Sequence, residues 1–173
     1  MKKLWIIPLL ALLLTGCGKT PVRETVSDVP AAPVMALARR ILVQLPPELS
    51  APALQSEKNG NVYICEDYSV TLQTVESGDL NRTIREATGM ARESLQIMET
   101  KQDGIKRYQW VWAVGGENGV QVGRGCILDD GHYHYVVTAM ADEEKVSQVQ
   151  QSWQEIFRSF RLADEREEVS TGS

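Results

Sequence analysis

Three long runs of strand-forming residues follow one another in the second half of the sequence, and they constrain the fold more than any other feature. The runs are 105–114, 119–128 and 133–140. The breaks between them, 115–118 and 129–131, are short and rich in Gly, Asp and Asn, the residue types of tight turns. Because strands joined by such short turns pair with their neighbours, the sequence predicts an antiparallel three-stranded meander.

The first half of the chain adds shorter strand signals. An apolar run at 41–45 ends at two prolines, which cannot donate a ladder hydrogen bond, and predicts a short strand. The segments 61–65 and 68–75 follow an Asn-Gly turn signal and predict a hairpin. The meander strand 133–140 is apolar on both faces, which predicts a central strand that is covered on both sides.

Two segments have apolar residues at helical spacing and predict two helices. One begins at Asp79, a suitable N-cap residue, and the other begins at Asp142. Their apolar stripes are Leu80, Ile84, Ala87, Ala91, Leu95 and Met98 in the first helix, and Val146, Val149, Trp153, Ile156, Phe157 and Phe160 in the second. An antiparallel sheet packed with two helices is an α+β fold.

Three aromatic residues, Tyr108, Trp110 and Trp112, share one face of the first meander strand. Large rings are costly to leave exposed without a binding role, so we expect a helix to cover them, with Trp153 of the last helix as the lid. The alternative is an exposed platform on which a sugar or a peptide could stack.

The C-terminal part of the domain carries a family resemblance. The strand at 135–139 and the helix end at 153–162, which finishes in the pair Ser159-Phe160, resemble the PsbP-like fold. The resemblance covers residues 40–162 and implies an α+β domain of the kind found in accessory and binding modules. That fold has no universal catalytic residue, so the resemblance implies no catalytic residue in this chain.

The first 17 residues have the layout of an exported lipoprotein. Lys2 and Lys3 precede an apolar run at 4–14, which fits a secretory signal peptide and is too short to span a bilayer as a helix. The tetrad Leu14-Thr15-Gly16-Cys17 resembles the bacterial lipoprotein processing box, which implies cleavage before Cys17 and a diacylglyceryl group on its thiol. The alternative is an ordinary signal peptide followed by a chance cysteine.

The expected organisation is a signal peptide at 1–16, a lipidated Cys17 with a flexible tether to residue 39, a domain at 40–162 and a disordered tail at 163–173. Loss of residues 1–16 would change the net charge from −5 to −7, so anionic lipids would not attract the chain. The lipid on Cys17 would therefore hold the protein to a bilayer, on the extracytoplasmic side. The lack of a long basic run argues against a nucleic-acid partner.

The remaining cysteines, Cys65 and Cys126, both fall in predicted strands. An even number of cysteines in an exported domain favours a disulfide, and the alternative is two separate buried thiols.

Both histidines, His132 and His134, lie around the start of the third meander strand. On one strand face they would be roughly 6.5–7 Å apart, close enough to share a Zn²⁺ ion with Asp130. The alternative is a turn followed by ordinary cross-strand packing. The sequence has no established catalytic motif and no phosphate-binding loop, so we expect no cofactor.

Three functions fit these observations. The first is a non-enzymatic binding or accessory module of the bacterial cell envelope, which docks an envelope protein or a ligand. The second is a small metal-dependent hydrolase that uses His132 and His134. The third is a structural lipoprotein of the envelope or of a spore coat.

Overall fold

The computed structural model describes residues 36–56, 60–116 and 119–164. The predicted signal peptide, Cys17, most of the predicted tether and the tail beyond residue 164 lie outside the described residues. Within the described part of the chain, no helix is long and apolar enough to cross a membrane.

The described residues form nine strands and two α-helices. In chain order these are β1 (Ile41–Leu42), β2 (Leu54–Ser56), β3 (Gly60–Ile64), β4 (Tyr68–Glu76), α1 (Leu80–Thr88), β5 (Met98–Gln102), β6 (Ile105–Gly116), β7 (Gly119–Asp129), β8 (Tyr133–Asp142), α2 (Val146–Ser159) and β9 (Arg161–Leu162). This arrangement confirms the α+β class, with an antiparallel sheet and two helices.

Seven strands form one antiparallel sheet in the order β2-β3-β4-β8-β7-β6-β5, and β1 pairs separately with β9. The predicted meander is present as β6-β7-β8, and the predicted hairpin is β3-β4. The central strand β8 lies between β4 and β7 and is buried along most of its length, because a helix packs on each of its faces. The sequence pattern did not reveal the two edge strands, β2 and β5.

One face of the sheet packs against α2 and is called the α2 side. Four large apolar residues of α2 and its C-cap lie in this core with the side chains of β4, β7 and β8 that point to the helix. The α2-side core includes Trp153, Ile156, Phe157 and Phe160 from the helix, and Val70, Leu72, Cys126, Leu128, Tyr135 and Val137 from the sheet. The predicted apolar stripe of the last helix is therefore confirmed from Val149 to Phe160.

The opposite face packs against α1 and is called the α1 side. The single helix predicted from Asp79 to Met98 is wrong in length, because α1 ends at Thr88. Gly89 adopts a left-handed conformation with φ of 73°, and its N–H donates to the Arg85 carbonyl at 2.7 Å, as in a glycine C-cap. The chain beyond Gly89 still packs its apolar residues on the α1 side, and it then forms the edge strand β5.

The aromatic residues of β6 are buried, but the predicted lid is wrong. Trp110 is 2% exposed and Trp112 is 4% exposed, and both lie on the α1 side with Ile84 of α1. Trp153 packs on the other face of the sheet. Because residues of β6 alternate between the two faces, α2 contacts Arg107, whereas Trp110 and Trp112 point to the opposite face.

Candidate functional site

The α2 side of the sheet is not fully covered. Helix α2 packs over β4, β8 and β7, whereas the residues of β5 and β6 that point to the same side remain half-buried or exposed. We call this uncovered surface, formed by Thr100, Gln102, Arg107, Gln109 and Val111, the open shelf. Val111 is 60% exposed there, although apolar residues in a sheet usually pack against a covering layer.

A cavity of about 960 Å³ lies at one end of the open shelf. One wall is lined by Thr100 and Gln102 of β5 and by Arg107 of β6. Another wall is lined by Phe160, the C-cap of α2, and by Leu162 of β9. Its volume is at the upper end of the range typical of small-molecule sites. The cavity is therefore large enough to receive a ligand or a segment of another protein.

The rim of this cavity is held in place by a hydrogen-bonded network around Tyr135. The backbone N–H of Arg39 donates to the Tyr135 hydroxyl at 2.8 Å, and that hydroxyl donates to Asp130 Oδ2 at 2.9 Å. The Arg39 Nε also donates to the Ala163 carbonyl at 3.1 Å, which ties the segment before β1 to the residue after β9. These bonds fix the position of Arg39, which lines the cavity.

The same network shifts two pKa values in opposite directions. Burial and the bond to Asp130 raise the pKa of Tyr135 to about 12. Burial alone would raise the pKa of Asp130, but the N–H groups of Tyr133 and His132 and the Tyr135 hydroxyl outweigh it and lower that pKa. Asp130 is thus held as a carboxylate by its hydrogen bonds, which organise the turn before β8.

A smaller groove of about 330 Å³ lies between α2 and strands β6 and β7, and we call it the arginine groove. Its lining residues are Arg107, Gln109, Arg124, Gln154, Phe157 and Arg158, with no carboxylate among them. Arg107 donates to the Phe157 carbonyl at 2.6 Å and to the Phe160 carbonyl at 3.1 Å. The cavity and the groove share Arg107, so they are neighbouring parts of the open shelf.

The guanidinium of Arg124 lies over an aromatic ring of α2 in this groove. Its guanidinium carbon is 4.6 Å from the centre of the Phe157 ring, which is a cation–π contact. Burial and the positive charge of nearby Arg107 lower the pKa of Arg124. The groove therefore holds two close positive charges without a neutralising carboxylate in its lining.

The structure does not bring the two histidines together as a metal site. His132 is exposed in the turn before β8, whereas His134 is 1% exposed beneath α1. The Nδ1 atom of His134 shares a hydrogen bond of 2.8 Å with the Thr83 hydroxyl, and its Nε2 lies 3.9 Å from Asp129. Asp130 is bonded to Tyr135 and to the turn, and no cluster of three metal-ligating residues occurs in the described ranges.

Stability should depend on the protonation of His134. Burial lowers its pKa below that of an unfolded histidine, about 6.5, so the unfolded chain binds the proton more readily than the native chain does. The free energy of unfolding should therefore fall as the pH drops through 6.5, and level off below the native pKa. Urea unfolding at pH 7.5, 6.5 and 5.5 measures this slope.

The two histidines provide matched variants for that measurement. His134→Asn keeps a group that can bond Thr83 but does not titrate, so it should flatten the slope between pH 7.5 and 5.5. His132→Gln, which replaces the exposed histidine, is the matched variant for comparison. An unaltered slope in His134→Asn would assign the pH dependence to other groups.

The predicted disulfide between Cys65 and Cys126 is not present, because both thiols are free. Cys65 follows β3 and Cys126 lies on β7, with β4 and β8 between them. Three strand spacings place the two residues about 14 Å apart or more, beyond the roughly 7 Å that a disulfide allows. The structure matches the alternative of two separate thiols, and burial raises the pKa of Cys126 to about 12.

Solved structures of other proteins are similar to this chain. The chain is similar in fold to LpqN. That crystal structure, of a protein involved in cell envelope biogenesis of Mycobacterium tuberculosis, matches with a TM-score of 0.52 at 10% identity and covers 73% of this chain and 85% of that chain. The solution structure of the cyanobacterial PsbP from Synechocystis sp. PCC 6803 matches with a TM-score of 0.47 at 13% identity, covering 62% of this chain and 76% of that chain.

A scan against known protein families and a search of curated proteins each find no match. At 10% identity, the likeness to LpqN establishes the arrangement of the elements and transfers no residue role to this chain.

Proposed function

We propose that this protein is a non-enzymatic binding module of the bacterial cell envelope, held to the membrane by a lipid on Cys17. The open shelf with its cavity of about 960 Å³ is the observation that carries the proposal. A sheet face next to a helix is normally packed, so an uncovered one with a large cavity is suited to a ligand or a partner. LpqN, which shares the fold, is described as involved in cell envelope biogenesis.

The arrangement of the histidines favours binding over hydrolysis. A general base must reach the proton that it removes, and His134 lies under α1 with its ring bonded to Thr83. His132 is exposed at the turn, and the cavity lining contains neither histidine. The hydrolase centred on these two residues is therefore the weaker alternative.

Support for the anchor comes from the sequence. The basic start, the apolar run at 4–14 and the tetrad ending in Cys17 have the order that a bacterial lipoprotein signal requires. A diacylated cysteine that gains a further acyl chain would give stable attachment where a single chain is marginal.

Site-specific photo-crosslinking in the source cells tests this function. A photo-reactive residue in place of Thr100, which faces the cavity, should give a discrete adduct in the membrane fraction. The matched control is its neighbour Lys101, which is also exposed but points to the opposite face of β5. Cys17→Ser should move the protein and its adduct out of the membrane fraction.

Three results would contradict the proposal. Equal adducts from Thr100 and Lys101 would show non-specific contact, and an absence of adducts from both would favour the structural role in the envelope or spore coat. Retention of Cys17→Ser in the membrane fraction would remove the lipid anchor from the proposal.

A further inference from the structure

We infer that the arginine groove binds a phosphate group of the ligand that occupies the open shelf. The inference rests on the proposed binding function and assigns a chemical class to part of the same surface. It follows from the donors in the groove, from their fixed positions and from the charge that they leave unbalanced.

The first argument is the set of unused donors. A guanidinium has five N–H groups, and Arg107 donates two hydrogen bonds, to the backbone carbonyls of Phe157 and Phe160. Arg124 contacts the Phe157 ring and makes no hydrogen bond to any residue that the structure describes. Arg158 is exposed on α2, and within the described ranges it also has no hydrogen-bond or ion-pair partner.

The second argument is that two of the three arginines are held before a ligand arrives. The carbonyls at the end of α2 hold Arg107, and the guanidinium of Arg124 packs over the Phe157 ring. A ligand that binds them gains charged hydrogen bonds and loses less side-chain entropy than it would with mobile arginines. Gln109 and Gln154 add amide groups at the sides of the same groove.

The third argument is the charge. The whole chain has a net charge of −5, yet three arginines and no carboxylate line this groove. The end of α2 offers Arg107 only the partial negative charge of a helix C-terminus. The Phe157 ring provides a cation–π contact for Arg124 and carries no net charge.

A phosphate matches this arrangement better than a carboxylate does. Arginine pairs with both groups through parallel N–H donors, but a carboxylate has two oxygens and one negative charge. A phosphate monoester presents three oxygens and a charge of about −1.5 to −2 at neutral pH, so it can bond several guanidinium groups at once. The phosphate could belong to a free phosphate compound or to a lipid headgroup.

Calorimetric titration of the full-length chain in neutral detergent tests the inference. The probe is inorganic phosphate at constant ionic strength, with chloride as the anion control. Wild type should bind phosphate saturably in the millimolar range, and Arg124→Gln and Arg158→Gln should each weaken binding by about tenfold, the effect of one lost charged hydrogen bond.

Arg85→Gln is the matched control, because Arg85 is equally a surface arginine but lies on α1, across the sheet. It should leave phosphate binding unchanged. Arg158 is exposed, so Arg158→Gln should keep the thermal midpoint of wild type, and it remains informative if Arg124→Gln unfolds.

A second titration distinguishes the two phosphate sources. Dihexanoyl phosphatidic acid, a short-chain lipid whose headgroup is a phosphate monoester, is added in place of phosphate. A lipid headgroup would be supported if the lipid binds at least tenfold more tightly than phosphate and if Arg158→Gln weakens that binding. Equal or weaker binding, beside saturable phosphate binding, would support a free phosphate compound.

The inference is overturned if wild type binds neither probe saturably, or if Arg85→Gln weakens binding as much as Arg158→Gln does. An adduct from Thr100 together with no phosphate binding would overturn this inference and leave the proposed binding function intact. The absence of that adduct together with no saturable binding of either probe would refute the binding function itself. The absence of the adduct beside phosphate binding that Arg158→Gln weakens would support a small phosphate ligand in place of a protein partner.

Discussion

Replacing Trp153 by alanine should lower the free energy of unfolding by about 3–5 kcal/mol, as truncation of a buried tryptophan typically does. Trp153 is 5% exposed and lies in the α2-side core with Ile156 and Phe157. The change should lower the thermal midpoint by roughly 6–20 °C for a domain of this size. Differential scanning calorimetry measures it, with Gln150→Ala, an exposed position on the same helix, as the control that should change little.

A second substitution identifies the cause of that loss. The Trp153 Nε1 atom is buried and has no hydrogen-bond partner among the described residues, so the indole contributes packing and no bond. Trp153→Phe keeps most of the ring and removes the unpartnered N–H, whose burial itself costs about 1–3 kcal/mol. It should therefore be far less destabilising than Trp153→Ala. Equal losses from both would show that the contact depends on the polar edge of the indole.

The parts of the fold that the sequence predicted well are those in which one periodicity persists over a long segment. The strands β6, β7 and β8 and the helix α2 each have a regular alternation or stripe, and their short turns leave few possible pairings. The sequence pattern overestimates the length of α1 because the helical stripe continues past Gly89. The stripe residues beyond Gly89 are partly buried on the α1 side, but a left-handed glycine has already ended the helix.

The candidate site was harder to predict because its residues come from different elements. Arg107 lies on β6, Arg124 on β7 and Arg158 on α2, and only the packing of α2 against the sheet brings them together. The sequence did contain a signal, since Arg124 stands in the middle of a strand that is otherwise mostly small or apolar. The two histidines were the opposite case. His132 and His134 are two positions apart in sequence, but His132 is exposed and His134 is buried.

The two tryptophans of β6 pack on the α1 side and not under Trp153, and their position leads to a prediction about the glycines of β7. Trp110 lies opposite Gly125 and Trp112 lies opposite Gly123, with the indole rings on the α1 side. A Cβ atom built at Gly125 would overlap the Trp110 ring, and one at Gly123 would overlap the Trp112 ring. These glycines therefore provide the space in which the two rings lie against the sheet.

Gly125→Ala should destabilise the protein by at least the 1–3 kcal/mol typical of an overpacked core, because backbone and ring must both move. Trp110→Leu removes the ring, so Gly125→Ala should lower the free energy of unfolding much less when Trp110 is already replaced. Urea unfolding of the double-mutant cycle should give a coupling energy of about 0.5–3 kcal/mol. Gly115→Ala on β6 is the control, since its new Cβ meets no described residue within 4 Å other than its chain neighbours. If Gly125→Ala cost the same with and without the Trp110 ring, the loss would arise from the β7 backbone and not from the overlap with the indole.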